Sequence, residues 1–383
     1  MYSIKEPHFT MKFMKRSFVL VPCFLMALHS VAAEKDGLWF HKVHLSGFGI
    51  ARYQASNPED EHDNSFNFRF VRLSLDGKVA NDFFWKTQFQ INGNTSTVAS
   101  SPRLLDLFVE WQKYPFAQVR VGQFLVPFTF ESIYHPMDMK FMGGSEVIDD
   151  LTGYTDRAGY QSSNGRDMGI QLNGDVAKNA AGEPLLHYAV SVVNGQGSNF
   201  KDVDQRKNVV GTLWVSPIKG MRLGVFGWEG SYARKGTWTD EVTGEEKSGV
   251  RSLAQHRYAL SAEYITHDWT FRTEYVHSTG LGFDKAYDGK TTDCSLSADG
   301  NKADGGYACV IAPIKKEKVH VKARYQLYRP SAEWNQAKAQ YEIGADYMLS
   351  KHLWFTAEYV RVNDRSLSKH NYNMVDAQVQ FRF

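Results

Sequence analysis

The chain has 383 residues, with 44 Lys or Arg against 42 Asp or Glu, a formal net charge of +2. A charge so balanced offers nothing to a nucleic-acid backbone or a strongly anionic surface. Aromatic residues make up 14% and glycines number 31, yet no apolar run beyond Ala33 is long enough for a spanning helix, which excludes a helical membrane protein.

The N-terminus reads as an export signal. Lys12, Lys15 and Arg16 precede the apolar run 17–28, and the small residues of 30–33 lead into Glu34-Lys35-Asp36. Met11 is an alternative start, because residues 1–10 add nothing such a signal needs. A membrane anchor would need ~20 apolar residues, more than this run holds. A lipidated Cys23 is disfavoured by Pro22 before it. The expectation is a signal peptide over 1–33 and a single mature domain over 34–383.

Along the mature chain, segments of about ten residues alternate in polarity between short polar breaks, the pattern of a transmembrane β-barrel. Strands are expected at 40–54, 66–79, 83–92, 104–112, 116–126, 166–176, 185–194, 207–216, 220–234, 254–265, 269–279, 318–328, 336–349, 352–363 and 373–383. Breaks at 81–82, 113–115, 217–219 and 267–268 read as periplasmic turns. Longer ones at 55–65, 127–165, 235–253 and 280–302 read as outer loops. With both chain ends on one side the strand number must be even, and 306–313 supplies the missing member. The expected fold is therefore all-β: a closed antiparallel barrel of about sixteen strands, which alone leaves no backbone edge in hydrocarbon.

Alternation assigns faces. Trp85, Thr87, Phe89 and Ile91 should face lipid, and Lys86, Gln88, Gln90 and Asn92 the lumen. Arg120, Arg272, Glu274, His320, Lys322 and Arg324 fall on the lumen side of their strands. In 66–75 the apolar phase shifts between Phe70 and Val71, so a β-bulge is expected that turns Arg69 and Arg72 inward and keeps every hydrophobe on lipid. In the last strand Val375, Ala377, Val379, Phe381 and Phe383 alternate with Asp376, Gln378, Gln380 and Arg382. Lumen charges in such barrels commonly pair with one another, so the cluster matters more than any one member.

Cys294 and Cys309 are the cysteines of the mature chain, and export to an oxidising compartment favours a disulfide between them. Such a bridge would contribute roughly 3 kcal/mol. The acidic stretch Pro58–Asp63 reads as a solvated loop rather than a divalent-cation site. No G-x-S-x-G, H-E-x-x-H or C-x-x-C occurs and the histidines lack metal-ligand spacing, so neither catalysis nor a cofactor is expected.

Three stretches carry a resemblance to the phosphate-selective porins O and P of Gram-negative outer membranes. These are 68–79, with its Arg-rich start; 105–131, ending Gly122-Gln-Phe-Leu-Val-Pro-Phe-Thr-Phe-Glu131; and Arg166-Asp-Met-Gly-Ile-Gln-Leu172. The resemblance implies a sixteen-stranded, usually homotrimeric barrel whose pore is narrowed by a loop folded inward, here 127–165. It also implies arginines and lysines along the pore, since guanidinium donors match phosphate oxygens. The pore-lining, anion-binding candidates are Arg69, Arg72, Lys86, Arg120, Lys140, Arg157, Arg166, Arg272, Lys322 and Arg324. Phe70 stands where phosphate-binding members have another arginine. The loop carries Lys140 and Arg157 but also Glu131, Asp138, Glu146, Asp149, Asp150 and Asp156, an acidic balance that would blunt anion selectivity. Phe383 resembles the terminal aromatic read by the barrel-assembly machinery.

The expected function is passive diffusion of small hydrophilic solutes or ions, anions such as phosphate or polyphosphate among them. The expected surroundings are outer-membrane lipid and lipopolysaccharide. The alternatives are a barrel enzyme of phospholipase or protease type, and a structural or adhesive barrel with a blocked lumen.

Overall fold

The computed structural model describes residues 40–59, 62–92, 102–159 and 163–383, with side chains from Val43 onward. The export segment 1–33, Cys23 included, lies outside the described residues. Among the described residues sixteen strands follow in order: β1 (Phe40–Ser56), β2 (Asp63–Val79), β3 (Phe83–Gln90), β4 (Arg103–Tyr114), β5 (Ala117–Leu125), β6 (Arg166–Lys178), β7 (Pro184–Val193), β8 (Asn208–Val215), β9 (Met221–Thr239), β10 (Glu246–Thr266), β11 (Trp269–Thr279), β12 (Lys302–Lys315), β13 (Val319–Arg329), β14 (Lys338–Ser350), β15 (Leu353–Asp364) and β16 (Asn371–Arg382). Each is antiparallel to its neighbours, and β1 pairs with β16 to close the wall. A closed wall has no edge strand, the condition for a sheet to cross hydrocarbon.

The strand expected at 306–313 is part of β12, which begins earlier, at Lys302. The outer loop expected at 235–253 is instead a continuation of β9 and β10, paired through Gly236 and Gly249 to Thr239 and Glu246. Past the membrane this hairpin no longer faces lipid, and its apolar contacts are few, Tyr232, Trp238 and Leu253 packing with Phe283, Cys294 and Leu296 of the β11–β12 connection. With so few apolar positions the alternation that reveals a strand breaks down.

Closure reaches the last residue. The N–H of Gly47 donates to the Phe383 carbonyl at 3.1 Å, and the N–H of Phe383 to the Gly47 carbonyl at 3.0 Å. A Cβ at Gly47 would stand 2.6 Å from the Phe383 ring, so the terminal ring lies flat over a residue with no side chain. In β16, Val375, Val379 and Phe381 are exposed on the outer wall while Gln378 and Gln380 are buried inside. Aromatic pairs at the short-turn end, Trp111 with Tyr114, Tyr114 with Phe116 and Trp269 with Phe271, form part of an interfacial girdle.

In β2 the register steps from Ile50↔Phe70 to Ala51↔Phe68, which leaves Arg69 as the inserted residue of a bulge. Arg69 and Arg72 both turn inward as expected. Phe70 does not stay on lipid: it turns inward too, packing on Phe48, Ile50 and Met137, with the Arg72 guanidinium 4.2 Å from its ring.

Cys294 and Cys309 are free thiols, not a disulfide. Cys309 stands in the wall opposite Arg272 and Arg324. Cys294 lies in the β11–β12 connection, its N–H donating to the carbonyl of Thr237 at the outer end of β9. Along β10 these levels correspond to Glu263 and to Ser248, a separation on the order of 50 Å at ~3.3 Å per strand residue. A disulfide tolerates a Cα separation of ~7 Å at most.

Candidate functional site

The described residues of the connection between β5 and β6, 126–159 and 163–165, fold into the barrel. They carry two short helices, α1 (Phe130–Ile133) and α2 (Glu146–Leu151). Phe128, Phe130, Phe141, Val147, Ile148 and Leu151 are buried against Phe226 and Trp228 of β9, Val276 of β11, Tyr307 and Ile311 of β12 and Tyr328 of β13. These inward aromatics would be out of place in a wet lumen. They exist to receive the loop, and full burial of each large side chain contributes roughly 1.5–3 kcal/mol.

Its polar groups are received by charged groups of the same wall. The Glu274 carboxylate accepts the N–H groups of Phe130 and Glu131, both at 2.7 Å, which satisfies the open end of α1. Glu358 accepts from the Met142 N–H at 2.9 Å and Gln326 from the Glu146 N–H at 2.9 Å. Lys322 donates to the Lys140 carbonyl, and Arg324 to that of Gly143 at 3.2 Å. Arg257, which the sequence reading passed over, grips Asp156 and the Leu151 carbonyl. Arg157 reaches the carbonyls of Gly280 and Gly300 in the β11–β12 connection.

Most of the ten basic candidates are therefore spent on structure. Arg324 pairs with Glu342 at 2.8 Å, Lys322 with Glu358 at 2.8 Å, Arg272 with Glu263 at 2.7 Å, Arg166 with Asp106 at 3.0 Å and Arg120 with Glu110 at 2.8 Å. Lys86 is 3.4 Å from Asp106. Lys140 adopts φ 68 on the loop and offers its carbonyl to Lys322.

Arg69 and Arg72 differ. Neither forms an ion pair within 4 Å among the described residues; Arg72 donates to Gln90 at 3.3 Å and Asn164 at 3.0 Å, and Nη1 of Arg69 is buried with no hydrogen-bond partner. Arg52 of β1, hydrogen-bonded to Asn67 at 3.3 Å, extends this strip, with Asp376 diagonal to it across the β1–β16 seam. The register sets Arg103 of β4 beside Gln90 on the same face. Beyond the seam, Oδ1 of Asp376 and the Oε1 atoms of Gln378 and Gln380 are also buried without protein partners. Buried polar atoms without a hydrogen bond thus lie on β2 and β16, either side of β1, as they also do at Arg324 and Asp346 farther round the wall, and such groups call for water or a solute as partner. Arg52 was hidden because Phe48 and Ile50, on its own face of β1, are apolar and pack on Met137.

The loop's acidic balance is also absorbed. Asp156 is held by Arg257, Asp138 lies 3.3 Å from Arg382 and Glu146 3.0 Å from Lys338. Glu131 accepts the Ser145 N–H at 2.5 Å and faces Arg324 at 3.8 Å. Burial, reinforced by Glu131 and opposed by Arg69, pushes the Asp149 carboxyl up to about 7. Burial beside Glu146 and Asp149 pushes Asp150 well above the usual carboxylate range. His135, stacked edge-on against Phe48 at 4.5 Å, is lowered by burial to about 4 and adds no charge at neutral pH.

The fold has many solved counterparts. An anion-selective porin from Comamonas acidovorans superposes with TM-score 0.63 at 13% identity, covering 89% of this chain and 99% of that one. The outer membrane channel DcaP of Acinetobacter baumannii gives 0.57 at 15%, covering 89% and 97%. OmpT of Vibrio cholerae gives 0.56 at 12%, covering 89% and 97%. At such identities the likeness speaks for the fold alone. A search of curated proteins finds no match. The sequence profile described as phosphate-selective porin O and P matches residues 47–253, more than half of the chain. With its sixteen-strand closed wall and inward loop, this chain belongs to the phosphate-selective porin O and P family, the channel-forming barrels of the bacterial outer membrane.

Proposed function

We propose that this channel passes small hydrophilic solutes by diffusion and favours anions, phosphate among them, at a constriction between the inward loop and the strip Arg52, Arg69 and Arg72. The observation that carries the reading is the imbalance of charge there. Among the described residues, Arg52, Arg69 and Arg72 form no ion pair within 4 Å, while the loop's carboxylates are paired or held near neutrality. Arginine suits the task because it stays charged and offers a planar fork of donors to phosphate oxygens. Phe70, which replaces a further arginine, shields one face of Arg72 and favours general anion passage over tight phosphate capture.

The proposal extends to the assembly. Residues 1–33 are taken as an export signal, with Phe383 presented to the barrel-assembly machinery. Three copies would pack through the outer wall of β1, β2 and β13–β16, where Ala51, Ala345, Ala357 and Ala377 floor a hollow of about 690 Å³ walled by Tyr53, Phe68 and Phe355. Hydrolysis has no support in this architecture, whose charged interior is engaged in holding the loop.

Planar-bilayer recordings under a KCl gradient test the reading. The reversal potential should show preference for chloride, and added phosphate should reduce chloride current. A cation-selective channel with wild-type Arg52, Arg69 and Arg72 would sink it.

A further inference from the structure

On the opposite side of the barrel from the β1–β16 seam, the outer wall of β8–β11 carries a notch of about 490 Å³ bordered by Gly211, Gly227, Glu229, His256, Tyr258 and His277 among others. We propose that this notch is a docking site for one lipopolysaccharide molecule of the outer leaflet, with an acyl chain over the glycines and the sugar–phosphate headgroup on the polar rim above them.

The strand register orders the surface into rows. The highest row runs Val209, Glu229, His256, Thr279, Lys302; the next Gly211, Gly227, Tyr258, His277, Asp304; the third Leu213, Val225, Leu260, Tyr275, Gly306. Polarity thus falls from charged to apolar over two rows, at the long-loop end of the wall. This is where hydrocarbon gives way to headgroups, and Tyr258 and Tyr275 are the interfacial tyrosines expected there. Leu213, Val225 and Leu260 are exposed on the outer wall, which continues below the notch as plain lipid-facing surface.

The floor is open. A Cβ added at Gly211 or Gly227 would meet nothing within 4 Å, so neither glycine is needed to fit a protein neighbour. Paired side by side across β8 and β9, they leave the wall without side chains beside Val209 and Tyr258, a hollow open to an acyl chain. Above it the rim offers both donors and acceptors. Nδ1 of His256 lies 2.6 Å from Oε2 of Glu229, Nε2 of His277 3.3 Å from the Thr279 hydroxyl, and the His277 ring stacks on Tyr258 at 5.2 Å. Lys302 stands exposed at the end of the top row. Imidazole, hydroxyl, carboxylate and ammonium groups in one row suit a headgroup of sugar hydroxyls, amines and phosphates. A single-charge phospholipid headgroup would use only part of that row.

The test is lipid retention by the full-length protein extracted from outer membranes in mild detergent and followed by native mass spectrometry. Purified lipopolysaccharide and a diacyl phosphatidylethanolamine serve as added probes. The wild type should carry one lipopolysaccharide per protomer and rebind it after delipidation. Filling the floor with Gly211→Leu and Gly227→Leu should cut retention at least tenfold with single-channel conductance unchanged. His256→Ala with Lys302→Ala should weaken rebinding of lipopolysaccharide without affecting phosphatidylethanolamine. Undiminished retention in the filled variant overturns the proposal. So does preferential capture of phosphatidylethanolamine, or loss of the oligomer in the filled variant, which would make the notch a contact between copies.

Discussion

Arg257 of β10 and Asp156, near the end of the inward loop, form a two-pronged ion pair with both side chains wholly shielded from solvent. The same guanidinium donates to the Leu151 carbonyl at 3.0 Å and stacks 5.0 Å from the Trp228 ring. It therefore ties the end of α2 to the wall at the point where the loop turns back toward β6.

Breaking that pair from one side should release the loop. Arg257→Met leaves Asp156 buried without its partner, a change that typically costs about 3–5 kcal/mol. We expect a lower unfolding temperature together with larger, noisier single-channel currents. Combining it with Asp156→Asn should recover part of the stability. Native melting and a quiet current in Arg257→Met would show that the apolar face of the loop suffices.

Arg69→Ala should weaken phosphate more than chloride passage. A hydrogen bond to a charged group is worth about 1.5–3 kcal/mol, so block of chloride current by phosphate should need roughly 10–100-fold more phosphate. Arg120→Ala combined with Glu110→Ala, which removes a paired guanidinium together with its carboxylate, should leave that block within about twofold, since the pair carries no net charge. Equal effects of the two variants would refute the division between free and spent arginines.

Selectivity should depend on pH through Asp149. Its carboxyl, raised to about 7 chiefly by burial, is neutral below that pH and ionised above it. Anion preference should accordingly fall as pH rises from 6 to 8, as a negative charge appears facing Arg69. Asp149→Asn should flatten that part of the profile. Reversal potentials across this range give the answer, and an unchanged wild-type profile would contradict the shift.

Both cysteines should titrate as thiols. Alkylation of the denatured, unreduced protein should add two adducts, and reduction should not alter its electrophoretic mobility. A mass two hydrogens lower with no adducts would restore the disulfide.

How far the chain is legible varies with the solvent around each part. β16 could be read directly, because lipid outside and water inside impose a strict period of two on Val375 to Arg382. β1 was legible as a strand, but the inward place of Arg52 was not, because the face bearing Phe48, Ile50 and Arg52 looks partly onto the loop and partly onto water. The outer halves of β9 and β10 were hidden for another reason, since beyond the lipid only Tyr232, Trp238 and Leu253 meet an apolar neighbour, too few to show a period.

The site divides the same way. The sequence by itself determined the closed barrel, its near-complete strand pattern, the presence of a bulge early in β2 and part of the inward-facing basic set, since each follows from local periodicity in two solvents. Only the tertiary structure decided which of those charges are free. Pairing depends on which strands and loop residues meet across the lumen: Arg324 meets Glu342, Arg166 meets Asp106, and Asp149 loses its water. Arg69 is left with an unpartnered nitrogen beside the pore. Those are long-range contacts, and no period along the chain encodes them.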